Sequence, residues 1–557
     1  MNQSKNQDIV NVSFYLKQMA ETRPYKRAVV YPAGRDKANR VTYSHFTFQQ
    51  LDEESDRIAA GLIAAGIARG TRTILMVKQS LEFFALAFAL FKAGIVPVVV
   101  DPGMGLKRML NCLQEGKPEA FIGIPLAHIV RTVYPRYFQN VRHFITVGRR
   151  LFWGGRTLQQ IRRLSSTSHP VADTGRDETA AILFTSGSTG PAKGVVYTHG
   201  MFDAQIRQIK EQFDISPDEI DLPTFPLFAI FDPSLGMTAV IPDMDPTKPA
   251  MVNPQKIIEA ITNHGVTNMF ASPALLNRVG RYCHQHQIKL PSLKRVVSAG
   301  APVPPANIER FAALLMPDAE IHTPYGATEA VPILSIGSRE ILSETKKLTE
   351  KGFGNCVGRP IRDTEIRLIR ISDEPIAVWS DELAVPQGET GEIIVRGPVV
   401  SSQYFERPDQ NALHKIKDGQ DIWHRMGDLG WMDKSGRLWF CGRKSHRVTT
   451  PKGTLYTIPC EAVFNNHPAV FRSALVGIGK APRQIPVICI ETEPGCKTPR
   501  NIIEQELLDM AGQFVITQQI ETVLFHKSFP VDIRHNSKIF REQLAGWAAE
   551  QLMKKRR

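Results

Sequence analysis

The chain has 557 residues, of which 43% are hydrophobic and 22% are charged, and its formal net charge is +13. This length exceeds what one hydrophobic core usually serves, and the composition excludes a disordered or fibrous chain, so we expect at least two folded domains. The positive charge favours anionic partners such as nucleotides, acidic lipids or nucleic acid, without choosing among them. The seven cysteines are scattered and form no CxxC pair, which is typical of a reduced cytoplasmic protein.

The first 100 residues predict an α/β fold and no membrane span. The opening sequence, MNQSKNQDIVNVSF, contains no apolar run, so we expect no secretory signal. The most apolar stretch, residues 74–100, is interrupted by Lys78, Glu82 and Lys92. These charges favour a buried strand–helix–strand unit over a span of the bilayer.

Strands and helices are predicted to alternate along the first 300 residues. A helix over 47–67 begins with the capping-box pattern of Thr47 and Gln50. Such alternation predicts a parallel sheet covered by helices. The other elements are strands over 73–77, 95–100 and 293–300, a helix over 80–93, and a helix followed by a strand within 253–273.

A basic segment interrupts this alternation. Residues 131–163 hold eight arginines and no acidic residue, with Phe152 and Trp153 among them. Two interpretations stay open: a solvated loop and helix face, or a peripheral contact with an anionic membrane surface. The chain carries no basic and aromatic stripe on a recognisable nucleic-acid module, so we expect no nucleic-acid partner.

A loop rich in glycine and hydroxyl groups, LFTSGSTGPAKGVVYTHG, spans residues 183–200. Glycines let backbone N–H groups approach an anion, hydroxyls add donors, and a lysine adds a point charge. The spacing differs from GxxxxGK[ST], which excludes the NTPase P-loop, and the apolar flanks disfavour a flexible linker. We expect phosphate binding by Thr185, Ser186, Gly187, Ser188, Thr189, Gly190 and Lys193.

Past residue 380 the elements become short and turn-rich, which favours antiparallel strands. New strands are predicted within 473–493, and helices near 500–511 and 539–552. We therefore predict an N-terminal domain over 1–443 and a C-terminal domain over 444–557.

Five segments in the same order resemble the motifs of the adenylate-forming (AMP-forming) superfamily, which includes acyl-CoA synthetases, luciferases and peptide-synthetase adenylation domains. The resemblance covers nearly the whole chain. It implies an α/β fold, with a large N-terminal domain of α/β layers and a distorted antiparallel subdomain, and a small mobile α+β C-terminal domain. The segments are the loop at 183–200, SAGAPVP (298–304), YGATEA (325–330), GDLGWMDKSGRLWFCGR (427–443) and DIRHNSKIFREQL (532–544).

The resemblance implies an enzyme that uses ATP and Mg²⁺ to convert a carboxylic acid into an acyl-adenylate. Glu329 and Thr185 are expected to hold the metal ion. Lys193, Thr328 and Lys538 are expected to act on the carboxylate and the phosphates, where a fixed cation stabilises developing charge. The remaining nucleotide contacts are expected from Gly300, Ala301, Pro302, Tyr325, Gly326, Ala327, Asp428 and Arg443. Among these, Tyr325 is expected to face the adenine, Asp428 to accept from the ribose hydroxyls, and Arg443 to lie near the ribose and phosphates.

The expected acid is apolar and long. By family position, residues 226–246 line the acyl pocket, and Phe228, Phe231, Leu235 and Met237 supply apolar side chains there. Plain core packing is the alternative interpretation of each of these four residues.

The sequence departs from typical CoA ligases after Arg443. Such ligases place an Asp or Lys hinge two residues after the motif arginine, where this chain has Ser445, and the usual stretch beyond it survives only as Gly453 and Glu461. His446, beside the hinge, is a candidate base by proximity alone.

These departures, with FDPSLGMTAVIPDMDPTKPA and GRKSHRV, are similar to the β-lactone synthetases of bacterial long-chain olefin biosynthesis. That resemblance implies that the acid's own β-hydroxyl attacks the acyl-adenylate, giving a β-lactone and AMP. Two alternatives stay open: a long-chain acyl-CoA ligase, and a non-catalytic nucleotide-binding or membrane-associated protein. The resemblance also implies a complex with other pathway enzymes. From the cysteines and the basic segment we expect a cytoplasmic location, with or without contact at the inner face of the membrane.

Overall fold

The computed structural model describes residues 9–165, 169–185, 192–531 and 539–555, without the side chains at positions 102, 185, 227 and 555. The strands are β1 (Arg27–Arg35), β2 (Val41–Thr47), β3 (Arg72–Met76), β4 (Val96–Val100), β5 (Ala120–Gly123), β6 (His143–Thr146), β7 (Arg156–Thr157), β8 (Thr179–Thr185), β9 (Lys193–Thr198), β10 (Ile220–Pro223), β11 (Thr238–Val240), β12 (Asn268–Ala271), β13 (Arg295–Ser298), β14 (Glu320–His322), β15 (Tyr325–Ala327), β16 (Ala330–Ser335), β17 (Asn355–Pro360), β18 (Glu365–Ile369), β19 (Gly391–Arg396), β20 (Lys415–Asp418), β21 (Asp421–Met432), β22 (Leu438–Arg443), β23 (Val448–Thr450), β24 (Gly453–Leu455), β25 (Val470–Ile478), β26 (Ile485–Thr492) and β27 (Val523–Phe525).

The helices run between these strands and cover the sheets. They are α1 (Ser13–Thr22), α2 (Phe48–Ala64), α3 (Leu81–Lys92), α4 (Leu106–Glu115), α5 (Pro125–Val133), α6 (Leu158–Arg162), α7 (His199–Gln212), α8 (Pro226–Ala229), α9 (Phe231–Leu235), α10 (Pro254–His264), α11 (Pro273–Gln285), α12 (Pro305–Ala312), α13 (Ser338–Glu340), α14 (Lys346–Glu350), α15 (Pro408–His414), α16 (Thr457–Phe464), α17 (Arg500–Gly512) and α18 (Arg541–Lys555).

Two largely parallel sheets form the first part of the molecule. One has the strand order β7-β6-β5-β3-β4-β8-β9, and the other β14-β13-β12-β10-β11-β1-β2. Only the edge pairs β8–β9 and β1–β2 are antiparallel within these sheets of the described chain. The predicted parallel α/β arrangement is therefore confirmed.

A third sheet, with the order β15-β16-β17-β22-β21-β19-β18 and β20 paired to β21, is antiparallel throughout its described pairs. This confirms the prediction of antiparallel strands past residue 380 and places residues 325–335 in the same sheet. After it come the hairpin β23–β24, the sheet β25-β26-β27 and helices α16 to α18.

Two hydrophobic clusters draw their members only from residues after 447, with Val448, Phe464 and Ile488 in one and Leu524 and Leu544 in the other. The division of buried side chains is compatible with a separate C-terminal unit. The boundary at 443/444 stays a prediction.

Local sequence signals explain the first helices. The Thr47 hydroxyl accepts from Gln50 N, and the Gln50 side chain accepts from Thr47 N, so α2 begins with the predicted capping box. Helix α3 is buried on almost every side, and its last residue, Lys92, is fully buried with Nζ 2.5 Å from both Asp52 Oδ1 and Asp56 Oδ1. Because these carboxylates neutralise it, the lysine ends a core helix without reaching solvent.

Within the part of the chain that the structure describes, no helix combines the length and the hydropathy that are needed to cross a bilayer.

Candidate functional site

A cavity of about 1600 Å³ lies where the three large sheets meet. One end is polar, with Lys193, Thr328, Glu329 and Arg443 on its wall, and the other is lined mainly by aromatic and aliphatic side chains. This division suits a ligand with a charged head and an apolar tail.

The hairpin between β15 and β16 supplies the polar end. Ala327 pairs with Ala330, so Thr328 and Glu329 form the two-residue turn between them. The Tyr197 hydroxyl donates to the Thr328 carbonyl at 2.5 Å, and Ser401 N donates to the Glu329 carbonyl at 2.8 Å. These bonds fix the backbone of the turn and leave both side chains on the cavity wall.

Tyr404 connects the Glu329 carboxylate to two lysines. Its hydroxyl donates to Glu329 Oε1 at 2.7 Å. Lys193 Nζ lies 4.9 Å and Lys415 Nζ 5.3 Å from the centroid of its ring. Burial raises the pKa of the Tyr404 hydroxyl above its usual value, and the adjacent Glu329 charge raises it further. The tyrosine therefore stays a neutral donor that holds the carboxylate in place.

His414 fixes the position of Lys193. Burial lowers the pKa of His414 to about 4, so the imidazole is neutral at pH 7. Its Nε2 accepts from Lys193 Nζ at 2.9 Å, which places the ring hydrogen on Nδ1, facing the Arg425 carbonyl at 3.4 Å. Burial also lowers the pKa of Lys193 itself.

Lys415 is fully buried beside this group. Its ammonium donates to the Ser401 carbonyl, and burial lowers its pKa to about 7. Sequence reasoning missed Tyr404, His414 and Lys415, because each acquires its partners from segments distant in the chain and none stands in a recognisable pattern.

The predicted ribose residues form a second cluster. Asp428 on β21 pairs in register with Arg443 on β22. Arg443 Nη1 lies 2.9 Å from Asp428 Oδ1, and the Tyr325 hydroxyl donates to Asp428 Oδ2 at 2.5 Å. Burial raises the pKa of Asp428, and the Arg443 charge opposes that rise. Arg443 lines the cavity, whereas Tyr325 and Asp428 lie behind the residues that form its wall in the described chain.

Several predicted nucleotide residues sit around these clusters. Gly300, which has φ +97°, and Gly326 and Ala327 line the cavity, while Ala301 and Pro302 follow Gly300 without lining it in the described chain. The Thr185 backbone pairs with Lys193 across the β8–β9 ladder. Ser186, Gly187, Ser188, Thr189, Gly190 and Lys538 lie outside the described residues, as does the Thr185 side chain.

The apolar end is built from aromatic rings. Phe228 and Phe231 line the cavity, and the Phe228 ring lies 4.4 Å from that of Phe270, which is also on the wall. Leu235 and Met237, predicted beside them, are 3% and 1% exposed and pack in the core; neither lines the cavity in the described chain. That Phe228 and Phe231 bind the acyl chain stays a prediction. Leu235 and Met237 contribute to the packing of the core instead.

The basic stretch after Arg443 binds carboxylates instead of facing the cavity. Lys444 Nζ lies 3.1 Å from Glu392 Oε1, and Arg447 Nη2 donates to Asp373 Oδ2 at 2.5 Å. His446 is half-buried, with Nε2 3.6 Å from Glu542 Oε1, and burial lowers its pKa to about 3. It does not line the cavity in the described chain, and its role as the base stays a prediction.

The donor set suits Mg²⁺ bound together with phosphates. Among the described residues, no three His, Cys, Asp or Glu side chains come together as a ready-made metal site. Glu329 contributes one carboxylate to the cavity wall, beside Thr328. Mg²⁺ in nucleotide sites commonly takes one or two carboxylates and completes its shell with phosphate oxygens and water.

Comparison with known proteins gives both a family and a fold. Residues 16–405 match the family model described as AMP-binding enzyme. The chain is 47% identical to the olefin beta-lactone synthetase of Xanthomonas campestris pv. campestris, over 98% of each chain. It is also 47% identical to that of Stenotrophomonas maltophilia, over 98% of this chain and 99% of the relative. The solved anthranilate CoA ligase AuaEII, in complex with anthranoyl-AMP, aligns with a TM-score of 0.80 and 18% identity over 98% of this chain and 99% of that one. This likeness concerns the fold, and it confirms the predicted fold class.

Proposed function

Because the chain belongs to the AMP-binding enzyme family, we propose that it converts a long-chain β-hydroxy acid and ATP into a β-lactone, AMP and pyrophosphate. The observation that carries this proposal is the 47% identity, over nearly the full length, to two olefin beta-lactone synthetases. The proposed reaction has two steps, activation of the acid and closure of the ring.

In the first step, a carboxylate oxygen of the acid attacks the α-phosphorus of ATP, and the bond to pyrophosphate breaks. The polar end of the cavity supports this step, since Lys193 and Arg443 bring positive charge to it and Thr328 brings a hydroxyl donor. Glu329 would hold Mg²⁺, which supplies positive charge to the phosphates when bound. Lys538, assigned through its motif position, would stabilise the charge that develops between carboxylate and α-phosphate.

In the second step, the β-hydroxyl oxygen attacks the acyl carbon. The new C–O bond closes a four-membered ring as the acyl–phosphate bond breaks, AMP leaves, and the hydroxyl proton is released to solvent. Both reacting groups belong to one bound molecule, so no second substrate must be captured and orientation supplies much of the rate. The rearranged hinge sequence at Ser445 is consistent with an enzyme that needs no thioester-forming step.

The acid is proposed to be long because the cavity of about 1600 Å³ has many apolar side chains on its wall. Besides Phe228 and Phe231, its wall includes Met109 and Val130 from the helix layer beyond. Burying an alkyl chain against such a wall stabilises the complex by about 0.8 kcal/mol for each methylene group.

The decisive experiment supplies the protein with ATP, Mg²⁺ and a long-chain 2-alkyl-3-hydroxy acid, with and without CoA, and determines the product masses. We expect a product of the acid's mass minus water, together with AMP and pyrophosphate, in both reactions. A strict requirement for CoA and a thioester product would instead establish the long-chain acyl-CoA ligase. Failure to exchange pyrophosphate with any acid would favour the non-catalytic alternative.

We also propose peripheral contact with an anionic membrane. Exposed apolar side chains, here called the apolar patch, lie on and beside α5; they are Leu126, Ile129, Val133, Tyr134, Leu151 and Phe152. The loop over 148–153 packs on α5, since Trp153 stacks on His128 with ring centroids 5.3 Å apart. Leu126 belongs both to the patch and to the cavity wall, which supports delivery of the acid from the lipid surface to the cavity.

A further inference from the structure

The cavity wall includes residues from both faces of the sheet β7-β6-β5-β3-β4-β8-β9. Leu183 and Phe184 are neighbours on β8, so their side chains point to opposite faces, and both line the cavity. Leu183 packs against a hydrophobic cluster that includes α7, whereas Phe184 belongs to a separate cluster that includes Cys112 on α4. Leu75 and Met76 on β3 repeat this pattern. The cavity therefore extends over both faces of one sheet.

The space over one face joins the space over the other at the carboxyl ends of the strands. Hydrogen-bonded ladders connect β3 to β4 and β4 to β8, so these strands form a continuous layer. Val77 and Lys78, which follow β3, and Asp101, which follows β4, are on the cavity wall. Thr185 ends β8 and begins the loop that is expected to bind the phosphates. The carboxyl head of the acid is therefore expected where the two spaces meet.

The two spaces, here called the aromatic arm and the aliphatic arm, have different walls. The aromatic arm lies over the face of Leu183, which packs against the same hydrophobic cluster as Phe231, and it includes Phe228. The aliphatic arm lies over the face of Phe184, beneath α4 and α5. The residues that these two helices contribute to the cavity wall in the described chain are all apolar: Leu106, Met109, Leu126, Ala127 and Val130.

Two apolar arms that diverge from one polar head suit an acid with two alkyl chains. In a 2-alkyl-3-hydroxy acid the chains leave from adjacent carbon atoms beside the carboxyl group, so they separate close to the head. An unbranched acid would fill one arm and leave the apolar wall of the other in contact with water, which is unfavourable. Each methylene group that an arm buries strengthens binding by about fourfold.

We propose that the aliphatic arm is a second chain-binding site, so that the two alkyl chains of the acid lie on opposite faces of the sheet, one in each arm. Val130 and Met109 contact the second chain, while Phe228 and Phe231 contact the first. The pair of arms then selects an acid with two chains over an acid with one. The inference rests on the proposed function for the chemical class of its substrate.

The test compares two acids on one enzyme preparation. ATP–pyrophosphate exchange is measured with a long-chain 2-alkyl-3-hydroxy acid and with the unbranched 3-hydroxy acid of the same main chain, for the wild type and for Val130→Phe. The larger ring occupies space in the aliphatic arm. We expect kcat/KM for the two-chain acid to fall by about tenfold or more, the scale of about two displaced methylene groups. The value for the unbranched acid should change little, because its chain can lie in the aromatic arm.

The ratio of the two values cancels any loss of folded enzyme, and a second variant covers a failure of Val130→Phe to fold. Leu106 lines the same arm and is 43% exposed, so Leu106→Trp enlarges the side chain without loading the core. It should shift the ratio in the same direction. Val133→Phe is the matched control, since Val133 lies on α5 with 62% of its surface exposed and does not line the cavity in the described chain. Its ratio should equal that of the wild type.

The proposal is overturned if the variants in the aliphatic arm leave the preference for the two-chain acid unchanged, or lower exchange with both acids alike. Exchange is read before ring closure. A thioester product in the mass experiment would therefore refute the lactone without restoring the ratio, and an unchanged ratio would refute the second chain-binding site while the lactone stands.

Discussion

At the scale of single residues, one tyrosine organises the charges around the proposed phosphate site. Tyr404 is 2% exposed, holds Glu329 by a hydrogen bond, and lies within cation–π distance of Lys193 and Lys415. Lys193 reaches the cavity wall, whereas Lys415 is buried behind it, with 7% of its surface exposed. A buried ammonium near a carboxylate raises the local potential at a cost in folding free energy.

That cost predicts a specific dependence of stability on pH. Burial lowers the pKa of Lys415 to about 7, far below the ordinary value for lysine near 10.4 in the unfolded chain. Between these values the unfolded chain binds more protons, so the free energy of unfolding rises with pH, by at most about 1.4 kcal/mol per pH unit. Lys415→Met removes this contribution. We expect the stability of the wild type relative to the variant to increase from pH 7 to pH 9, measured by urea denaturation.

The matched control is Lys417→Met on the same strand, where the lysine is exposed. Because Lys417 lies in solvent, this variant tests whether removing any lysine from the strand produces the same dependence on pH. A wild-type-minus-variant difference that is flat with pH for Lys415→Met would contradict the assignment of a depressed pKa.

Residues of the candidate site that stand in motifs have a signal in the sequence. The residues that hydrogen-bond them and hold them in place have none. Thr328, Glu329 and Arg443 stand in patterns with a recognisable order, and all three line the cavity. Tyr404 and Gln205 stand in no pattern, because what matters is contact across the fold: Tyr404 meets Glu329 75 positions away and Gln205 meets Val331 126 positions away. Such long-range partners follow from the sheet order, which local sequence does not determine.

At the scale of elements, strand β21 supports the cluster of Tyr325, Asp428 and Arg443. Its central part holds Arg425 next to β19, and a few residues later it presents Asp428 opposite Arg443. The Arg425 side chain is 1% exposed, with Nη2 2.6 Å from Glu392 Oε2 and Nη1 2.8 Å from the Glu374 carbonyl. This buried pair fastens the strand in the register that the ribose cluster requires.

Replacing Arg425 should strongly lower the free energy of unfolding. In Arg425→Met, the fully buried Glu392 keeps, among the described residues, only the Lys444 ammonium at 3.1 Å as a charged partner. Breaking a buried pair by removing one partner typically costs about 3 to 5 kcal/mol. The expected result is a large downward shift of the urea midpoint for this variant.

Arg362→Met is the control for this experiment. Arg362 pairs with Glu211 at the surface, where the side chains are 69% and 56% exposed. An exposed pair contributes about 0 to 1 kcal/mol, so this variant should unfold near the wild-type midpoint. Similar small shifts in both variants would show that the buried pair does not hold β21.

Elements with a local signal were predictable, whereas the order of the strands within each sheet was not. The capping box starts α2 where Thr47 and Gln50 indicate, and β3 and β4 lie within one residue of their predicted starts. In contrast, β15 and β16 join β22 in one sheet although about 100 residues separate them. Apolar alternation determines that a segment is a strand, while its neighbours are selected by the packing of the whole core.

At the scale of the whole molecule, exposed apolar side chains and exposed arginines lie next to each other beside the cavity. Leu126, Ile129 and Val133 recur at helical spacing on the outer face of α5, with 64%, 39% and 62% of their surface exposed. Phe152 is 76% exposed on the adjoining loop, next to the exposed Arg149 and Arg150. An apolar face flanked by basic residues is the combination that binds anionic bilayers.

The membrane proposal predicts that binding to anionic vesicles requires the apolar patch and that the net positive charge alone is not enough. In flotation with vesicles rich in anionic lipid, the wild type should rise with the vesicles, and Leu126→Ser with Phe152→Ser should stay in solution. The two substitutions remove the large apolar side chains that would insert into the acyl region of the bilayer, and they leave every arginine in place. Val515→Ser, at another residue that is 80% exposed, controls for a general loss of apolar surface and should float like the wild type. Wild-type protein that remains in solution with these vesicles would exclude the membrane contact, and equal flotation of the double variant would place the contact elsewhere on the surface.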